Sequence, residues 1–238
     1  STNKDFKYQF ISPIGAWATG GNLNTGREKG ASAGVSNSSA LFFGGTPAPS
    51  GQTESYNGTN WTEVNDLNSD RDDIAGNGTQ TSALAYGGAG TGKTELWNGT
   101  NWTEKNDLNT ARNQMGGAGV DNTSALAFGG TPAAANTESW NGTNWTEVND
   151  LNTGRNRVGG TGISNTAVLV FGGSGTSAIT ELWNGSSWTE VADLSQARDA
   201  GGSNGTTTSA LFSGGNTSPS AATEEWSGTS TVTKVLTD

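Results

Sequence analysis

The sequence predicts an all-β fold, a β-propeller of five four-stranded antiparallel blades, and three observations carry that expectation. A tryptophan heads a Trp-Thr or Trp-Ala step at Trp17, Trp61, Trp102, Trp145 and Trp188, a period of about 43 residues in the range that marks solenoids, propellers and arrays. Each copy holds four short segments of strand length, such as GGAGV, SALAF, TELW and NWTEV, parted by Gly, Asn, Asp and Thr clusters. No stretch sustains apolar residues at helical spacing, and 37 glycines in 238 residues would destabilise helix interiors. Four strands per unit select the propeller among repeat architectures.

The elements follow in order. Residues 1–14 stand outside the repeat, and there Phe6, Tyr8 and Phe10 alternate with Asp5, Lys7 and Gln9, the period of a half-buried strand. Such a strand either covers the edge of its own propeller or serves as an arm that docks on a partner's sheet. Residues 15–238 form the propeller, which the chain enters mid-blade: Trp17 and Leu23 match an outer strand and its exit loop before any inner strand has appeared. Blades are expected at residues 27–64, 71–105, 112–148, 155–191 and 198–228. The last takes its outer strand either from Trp17 or from residues 232–235. Trp17 is preferred, because it completes five equivalent tryptophans and removes open strand edges that invite aggregation.

Further landmarks sharpen the reading. A leucine follows each tryptophan by six residues (Leu23, Leu67, Leu108, Leu151, Leu194), and an arginine comes four later (Arg27, Arg71, Arg112, Arg155, Arg198). Each unit also carries a double glycine after an apolar run, as at Gly44-Gly45 and Gly129-Gly130. This arrangement of arginine, apolar strand, Gly-Gly, Glu-x-Trp strand and tryptophan strand resembles the kelch repeat, the blade unit of galactose-oxidase-like β-propellers, over nearly the whole chain. The acidic residue that kelch repeats place after the third strand is replaced by Asn57, Asn98, Asn141, Asn184 and Ser227. The wording NGTNWTE and SALAFGG is also similar to kelch-type virion proteins of marine bacteriophages, cyanophages above all. That similarity implies a virion component such as a tail fibre, tail tip or capsid decoration.

Composition excludes several function classes. The net charge is −10, and the 12 basic residues are spread along the repeats without forming a patch, which argues against nucleic acid as a partner. No apolar stretch approaches the length of a membrane span. There is no cysteine and no histidine, so disulfides, Cys or His nucleophiles, a His base and a His-based zinc site are excluded. The copper chemistry of galactose oxidase therefore does not carry over with the resemblance, and neither cofactor nor metal is expected.

The candidate residues divide into two sorts. The repeated arginines could clamp an anion, but Glu54, Glu95, Glu138, Glu181 and Glu224 recur once per unit as well, and an internal ion pair is the expected role. Tyr56, Trp97, Trp140, Trp183 and Trp226 are expected to pack between blades. By contrast, the loops between second and third strands vary (residues 46–52, 89–93, 131–136, 174–179 and 216–222), while the other turns are nearly uniform. Strand alternation puts these variable loops on one face with the arginine-bearing loops, and recognition usually sits on loops set by a rigid scaffold. Thr46, Gln52, Asp72, Asp73, Lys93, Asn136, Arg157, Ser177 and Asn216 are the candidate ligand-binding residues of that face.

The expected function is a non-catalytic virion surface module that binds a host-surface glycan or receptor. Two alternatives stay open. One is a purely structural assembly role, in which Phe6, Tyr8 and Phe10 dock on other virion proteins. The other is a glycoside-active enzyme using Asp72 and Asp73, since paired carboxylates suffice for that chemistry; the cluster of Asp70, Asp72 and Asp73 is also the one place where Ca²⁺ would be considered.

Overall fold

The computed structural model describes residues 19–132, 135–175, 177–216 and 221–228. They form a five-bladed β-propeller, and no helix occurs among them. Blade one comprises β1 (Ala31–Ser36), β2 (Ser39–Phe43), β3 (Thr53–Tyr56) and β4 (Trp61–Val64). Blade two comprises β5 (Ala75–Thr79), β6 (Ser82–Tyr86), β7 (Thr94–Trp97) and β8 (Trp102–Lys105). Blade three follows with β9 (Gly116–Asp121), β10 (Ser124–Phe128), β11 (Thr137–Trp140) and β12 (Trp145–Val148). Blade four holds β13 (Gly159–Ser164), β14 (Ala167–Phe171), β15 (Thr180–Trp183) and β16 (Trp188–Glu190), and blade five β17 (Gly202–Gly205), β18 (Ser209–Ser213) and β19 (Thr223–Ser227). Each blade is a simple antiparallel meander with its first strand innermost, and consecutive inner strands line a central passage.

The turns explain the meander. Between the third and fourth strands, Gly58, Gly99, Gly142 and Gly185 take φ between 90° and 93°, which a side chain rarely tolerates. The preceding asparagine locks each turn: Asn57 Oδ1 accepts from the Thr59 and Asn60 amides, and Asn98, Asn141 and Asn184 do the same.

The core lies between blades rather than inside them. Trp102 of blade two meets Phe43 of blade one edge to face at 4.9 Å, and its Nε1 donates to Thr53 Oγ1 at 3.0 Å. Trp145 repeats this against Tyr86 and Thr94, and Trp188 against Phe128 and Thr137. Trp97, Trp140 and Trp183 pack beside these tryptophans in the same inter-blade clusters, as expected for packing residues. Glycine on the facing inner strand makes the close approach possible: a Cβ at Gly117 would overlap the Tyr86 hydroxyl, and one at Gly160 the Phe128 ring.

Residues 1–14 with Phe6, Tyr8 and Phe10, Trp17, and residues 229–238 lie outside the described residues. Just after Trp17, however, the chain follows the route of a blade exit. Asn24 gives its amide and Nδ2 to Glu54 Oε2 and a further Nδ2 bond to Trp61 O. Asn68, Asn109 and Asn152, which do follow outer strands, make the same three bonds to the next blade.

Candidate functional site

The five repeated arginines are internal fasteners. Each is within 3.1 Å of the glutamate of its own blade: Arg27–Glu54 at 2.8 Å, Arg71–Glu95 and Arg112–Glu138 at 2.9 Å, Arg155–Glu181 at 2.5 Å and Arg198–Glu224 at 3.1 Å. Arg71 Nη1 also reaches the carbonyls of Gly87 and Lys93, and Arg112 Nη1 those of Gly129 and Asn136. Burial lowers the pKa of the Arg71 and Arg112 guanidinium groups, and the charges of Glu95 and Glu138 work against that fall. For Glu54 burial alone would raise the pKa, but the hydrogen bonds from Asn24 and Arg27 outweigh it and hold the carboxyl below its ordinary value. An arginine so enclosed presents nothing to a ligand.

Two residues beyond each arginine the backbone does something unusual. Lys29, Asp73, Gln114, Arg157 and Ala200 all take left-handed φ, between 49° and 60°, which costs an L-residue about 1–2 kcal/mol. In blades three to five the conformation turns the amide to its counterpart in the preceding blade. Gln114 N donates to Asp73 O at 3.1 Å, Arg157 N to Gln114 O at 2.8 Å, and Ala200 N to Arg157 O at 2.9 Å. The five positions thus circle one mouth of the central passage, where they line a cavity of about 510 Å³. Its floor is apolar under blades two to four, through Ile74, Met115 and Val158. Blades one and five put Gly30 and Gly201 there instead, with the Phe42 and Phe212 rings behind them in the space a side chain would need.

The variable loops form the next circle on the same face. Thr46 pairs with Glu28 and Thr131 with Asn113 through the backbone, and the amides of Ala89, Ser174 and Asn216 bond to the carbonyls of Asp72, Asn156 and Asp199. The strand-alternation argument for one shared face therefore corresponds to the geometry.

The nine candidate residues separate within this face. Asp73, Arg157 and Asn216 come together at the mouth, with Thr46 and Asp72 bonded one step outward. Gln52, Lys93 and Asn136 sit instead at the entry to third strands, where their carbonyls receive the buried arginines. Lys93 Nζ is further tied to Ser69 Oγ at 2.6 Å and lies 3.9 Å from Glu104. Ser177 caps its own loop, its Oγ accepting from Ile179 N at 3.2 Å. No group of three or more acidic side chains among the described residues gathers as a cation would require, the Asp70 to Asp73 run included. Sequence reasoning missed Glu28, Lys29, Gln114 and Ala200. The signal that finds three of them, Lys29, Gln114 and Ala200, is their fixed distance of two residues from the repeat arginine, which the unlike side chains conceal.

The second mouth is different in kind. Val35, Val120 and Ile163 stand exposed there, at 71 %, 45 % and 60 %. Between the mouths the passage is polar, with Asn77 Nδ2 bonded to Asp121 O and Thr161 Oγ1 to Gly205 O, while the buried Asn77 Oδ1 has no partner.

No protein-family model matches the chain, and no curated protein matches it.

Proposed function

We propose that the protein is a non-catalytic recognition module of kelch-like type, carried on the surface of a phage virion as part of a tail fibre, tail tip or capsid decoration, and that it binds a host-surface glycan with the loop face around the Lys29–Arg157 mouth. One observation carries this reading. Five positions share one backbone conformation and one place on the ring, yet carry Lys, Asp, Gln, Arg and Ala. The fold fixes the backbone there and leaves the side chain free, whereas the arginines, glutamates and tryptophans around it are each committed to packing or pairing. Binding residues are disproportionately found on loops that a rigid scaffold positions. The virion setting rests on the wording of the repeats, and the glycan on the hydroxyl- and amide-rich loops.

The test is binding of the purified chain to arrayed bacterial surface glycans and to whole marine cyanobacterial cells, beside a variant with Thr46, Gln114 and Asn216 replaced by alanine. Saturable binding that the variant loses, with an unchanged melting temperature, is expected. Binding that the variant retains would move the site off this face, and no binding to any target would overturn the reading.

A further inference from the structure

Among the described residues, the positive charge that no carboxylate pairs is concentrated at that mouth. Of its 12 lysines and arginines, Lys4, Lys7 and Lys234 lie outside the described residues. Five of the remaining nine are the buried arginines, and Lys93 faces Glu104. Lys29, Lys105 and Arg157 have no carboxylate partner among the described residues, and two of these three line one cavity. In ring order Ala200 stands between Arg157 and Lys29, and of the blade-five residues that line that sector (Ala200, Gly201 and Asn216) Asn216 alone carries a side chain longer than a methyl.

The rest of the wall limits what these cations could hold. Glu28 and Asp73 line the same cavity, and Asp73 Oδ2 accepts from Gln114 Nε2 at 3.3 Å. Two cations and two carboxylates leave the mouth close to neutral, so a multiply charged anion such as phosphate would meet repulsion as well as attraction. A single carboxylate with hydroxyl groups attached fits better. Its acid takes a two-pronged bond from the Arg157 guanidinium and a point charge from Lys29, and its hydroxyls donate to Glu28 and Asp73 or bond the Gln114 and Asn216 amides. Ile74, Met115 and Val158 offer the carbon face of a sugar ring an apolar floor.

We propose that the mouth is a subsite for a carboxylate-bearing sugar residue, with the acid group held between Lys29 and Arg157. The inference rests on the glycan-recognition reading and names the chemical class of the ligand. The experiment is calorimetric titration of the full chain with oligosaccharides of galacturonic, glucuronic and mannuronic acid and with their carboxyl-reduced, neutral counterparts. Lys29→Gln and Arg157→Gln are titrated in parallel, with Lys105→Gln as control. Glutamine already occupies the left-handed position in blade three, so both substitutions suit the backbone.

Binding of at least one acidic oligomer, weakened about tenfold or more by each mouth variant and unchanged by Lys105→Gln, is expected, since each mouth variant removes a charge-assisted hydrogen bond. Affinity should also fall with added salt. Neutral oligomers bound as tightly as acidic ones, or acidic binding indifferent to both mouth variants, would overturn the acid subsite while leaving glycan recognition standing. Failure of every oligomer, acidic and neutral, in the presence of binding to whole cells would overturn the subsite alone, and failure on cells as well would overturn both readings.

Discussion

The interfaces between blades one and two, two and three, and three and four are near copies of one another, and those on either side of blade five are not. At each of the first three a tryptophan sits edge-on to the ring of the preceding blade and bonds its threonine. A long amide also reaches back across the blades: Gln80 to Tyr56 O, Asn122 to Trp97 O and Asn165 to Trp140 O. Blade five has Thr207 at that amide's place, too short to reach, and three strands among the described residues. Between blades four and five, Phe171, Thr180, Leu194, Phe212 and Trp226 enclose about 60 Å³. Phe171 and Thr180 stand at the repeat positions of Phe43 and Thr53, so this space corresponds to a tryptophan socket. Toward blade one the decline goes further: Ser213 stands where Phe43, Tyr86 and Phe128 supply rings, and no apolar cluster among the described residues joins blades five and one.

The difference teaches that a repeat array is only as strong as its weakest nearest-neighbour interface. Three seams are fixed by side chains that recur in kind from blade to blade, and the seams of blade five must be completed otherwise. Trp17 is the residue whose repeat position matches the socket, and the largest expected effect follows from it. Trp17→Ala should destabilise the protein about as much as Trp145→Ala, by about 3–5 kcal/mol as for other buried tryptophans, which lowers the melting temperature by roughly 10 °C for a chain of this size. Thermal unfolding of the two variants side by side makes the check. A Trp17→Ala variant that melts like the wild type would mean that the socket is filled from elsewhere, residues 232–235 being the alternative.

The buried ion pairs give the next contrast. Glu138 is 1 % exposed and fully bonded, whereas Glu224 is 23 % exposed, and its Oε1 lies 3.1 Å from Arg198 Nη2 without hydrogen-bond alignment. Arg198 instead lies over the Phe212 ring at 4.8 Å, and its Nη1, whose counterpart in Arg112 reaches two carbonyls, has no partner among the described residues. Removing one member of a buried pair strands the other and costs about 3–5 kcal/mol. Arg112→Met should show that loss in denaturant titrations, and Arg198→Met about half of it or less. Equal losses would mean that the fifth blade is held as firmly as the third.

Within the regular seams one position departs from the pattern in the opposite sense. Tyr86 takes the place of Phe43, Phe128 and Phe171, and its buried hydroxyl has no hydrogen-bond partner. Burial accordingly drives its pKa well above the ordinary tyrosine value, against an opposing pull from the charge of Arg112. An unpartnered buried polar group costs about 1–3 kcal/mol, so Tyr86→Phe should raise the melting temperature by a few degrees. A lower melting temperature would mean that the hydroxyl bonds water in the adjoining passage.

What the sequence disclosed and what it hid follow the same division. Strand lengths, turn positions, the arginine–glutamate pairs and the inter-blade aromatics were legible because each recurs with its spacing intact. The mouth was legible only through Asp73, Arg157 and Asn216, for two physical reasons. A left-handed backbone is advertised by glycine or asparagine, and here it is borne by Lys29, Asp73, Gln114, Arg157 and Ala200. Their identities also differ from blade to blade, so a search for recurrence passes over them. Gln52, Lys93 and Asn136 attracted notice as polar loop residues, yet their contribution to the fold is a backbone carbonyl, which side-chain identity does not reveal.

The smallest expected effect concerns acid, and it returns to the seam. Glu54 binds Asn24 and Arg27, the residues that lead the chain into blade one, and its pKa lies below the ordinary 4.5. A carboxyl depressed in the folded state contributes stability that is complete above the unfolded value and is lost as pH falls through the folded one. That contribution therefore disappears on the acid side of pH 4.5, and with it the hold on residues 24–27. Glu224, depressed chiefly by its bond from Ser195 against the opposing effect of burial, behaves in the same direction at the entry to blade five. Hydrogen exchange at pH 7 and at pH 3.5 should show protection lost first at the amides of Asn24 and Ser195, both of which donate directly to these carboxylates. Glu54→Gln should flatten the fall in melting temperature over the same range. Uniform loss across all five blades would show instead that acid acts on the ring as a whole, and that the fifth blade's seams are no weaker toward protons than the three regular ones.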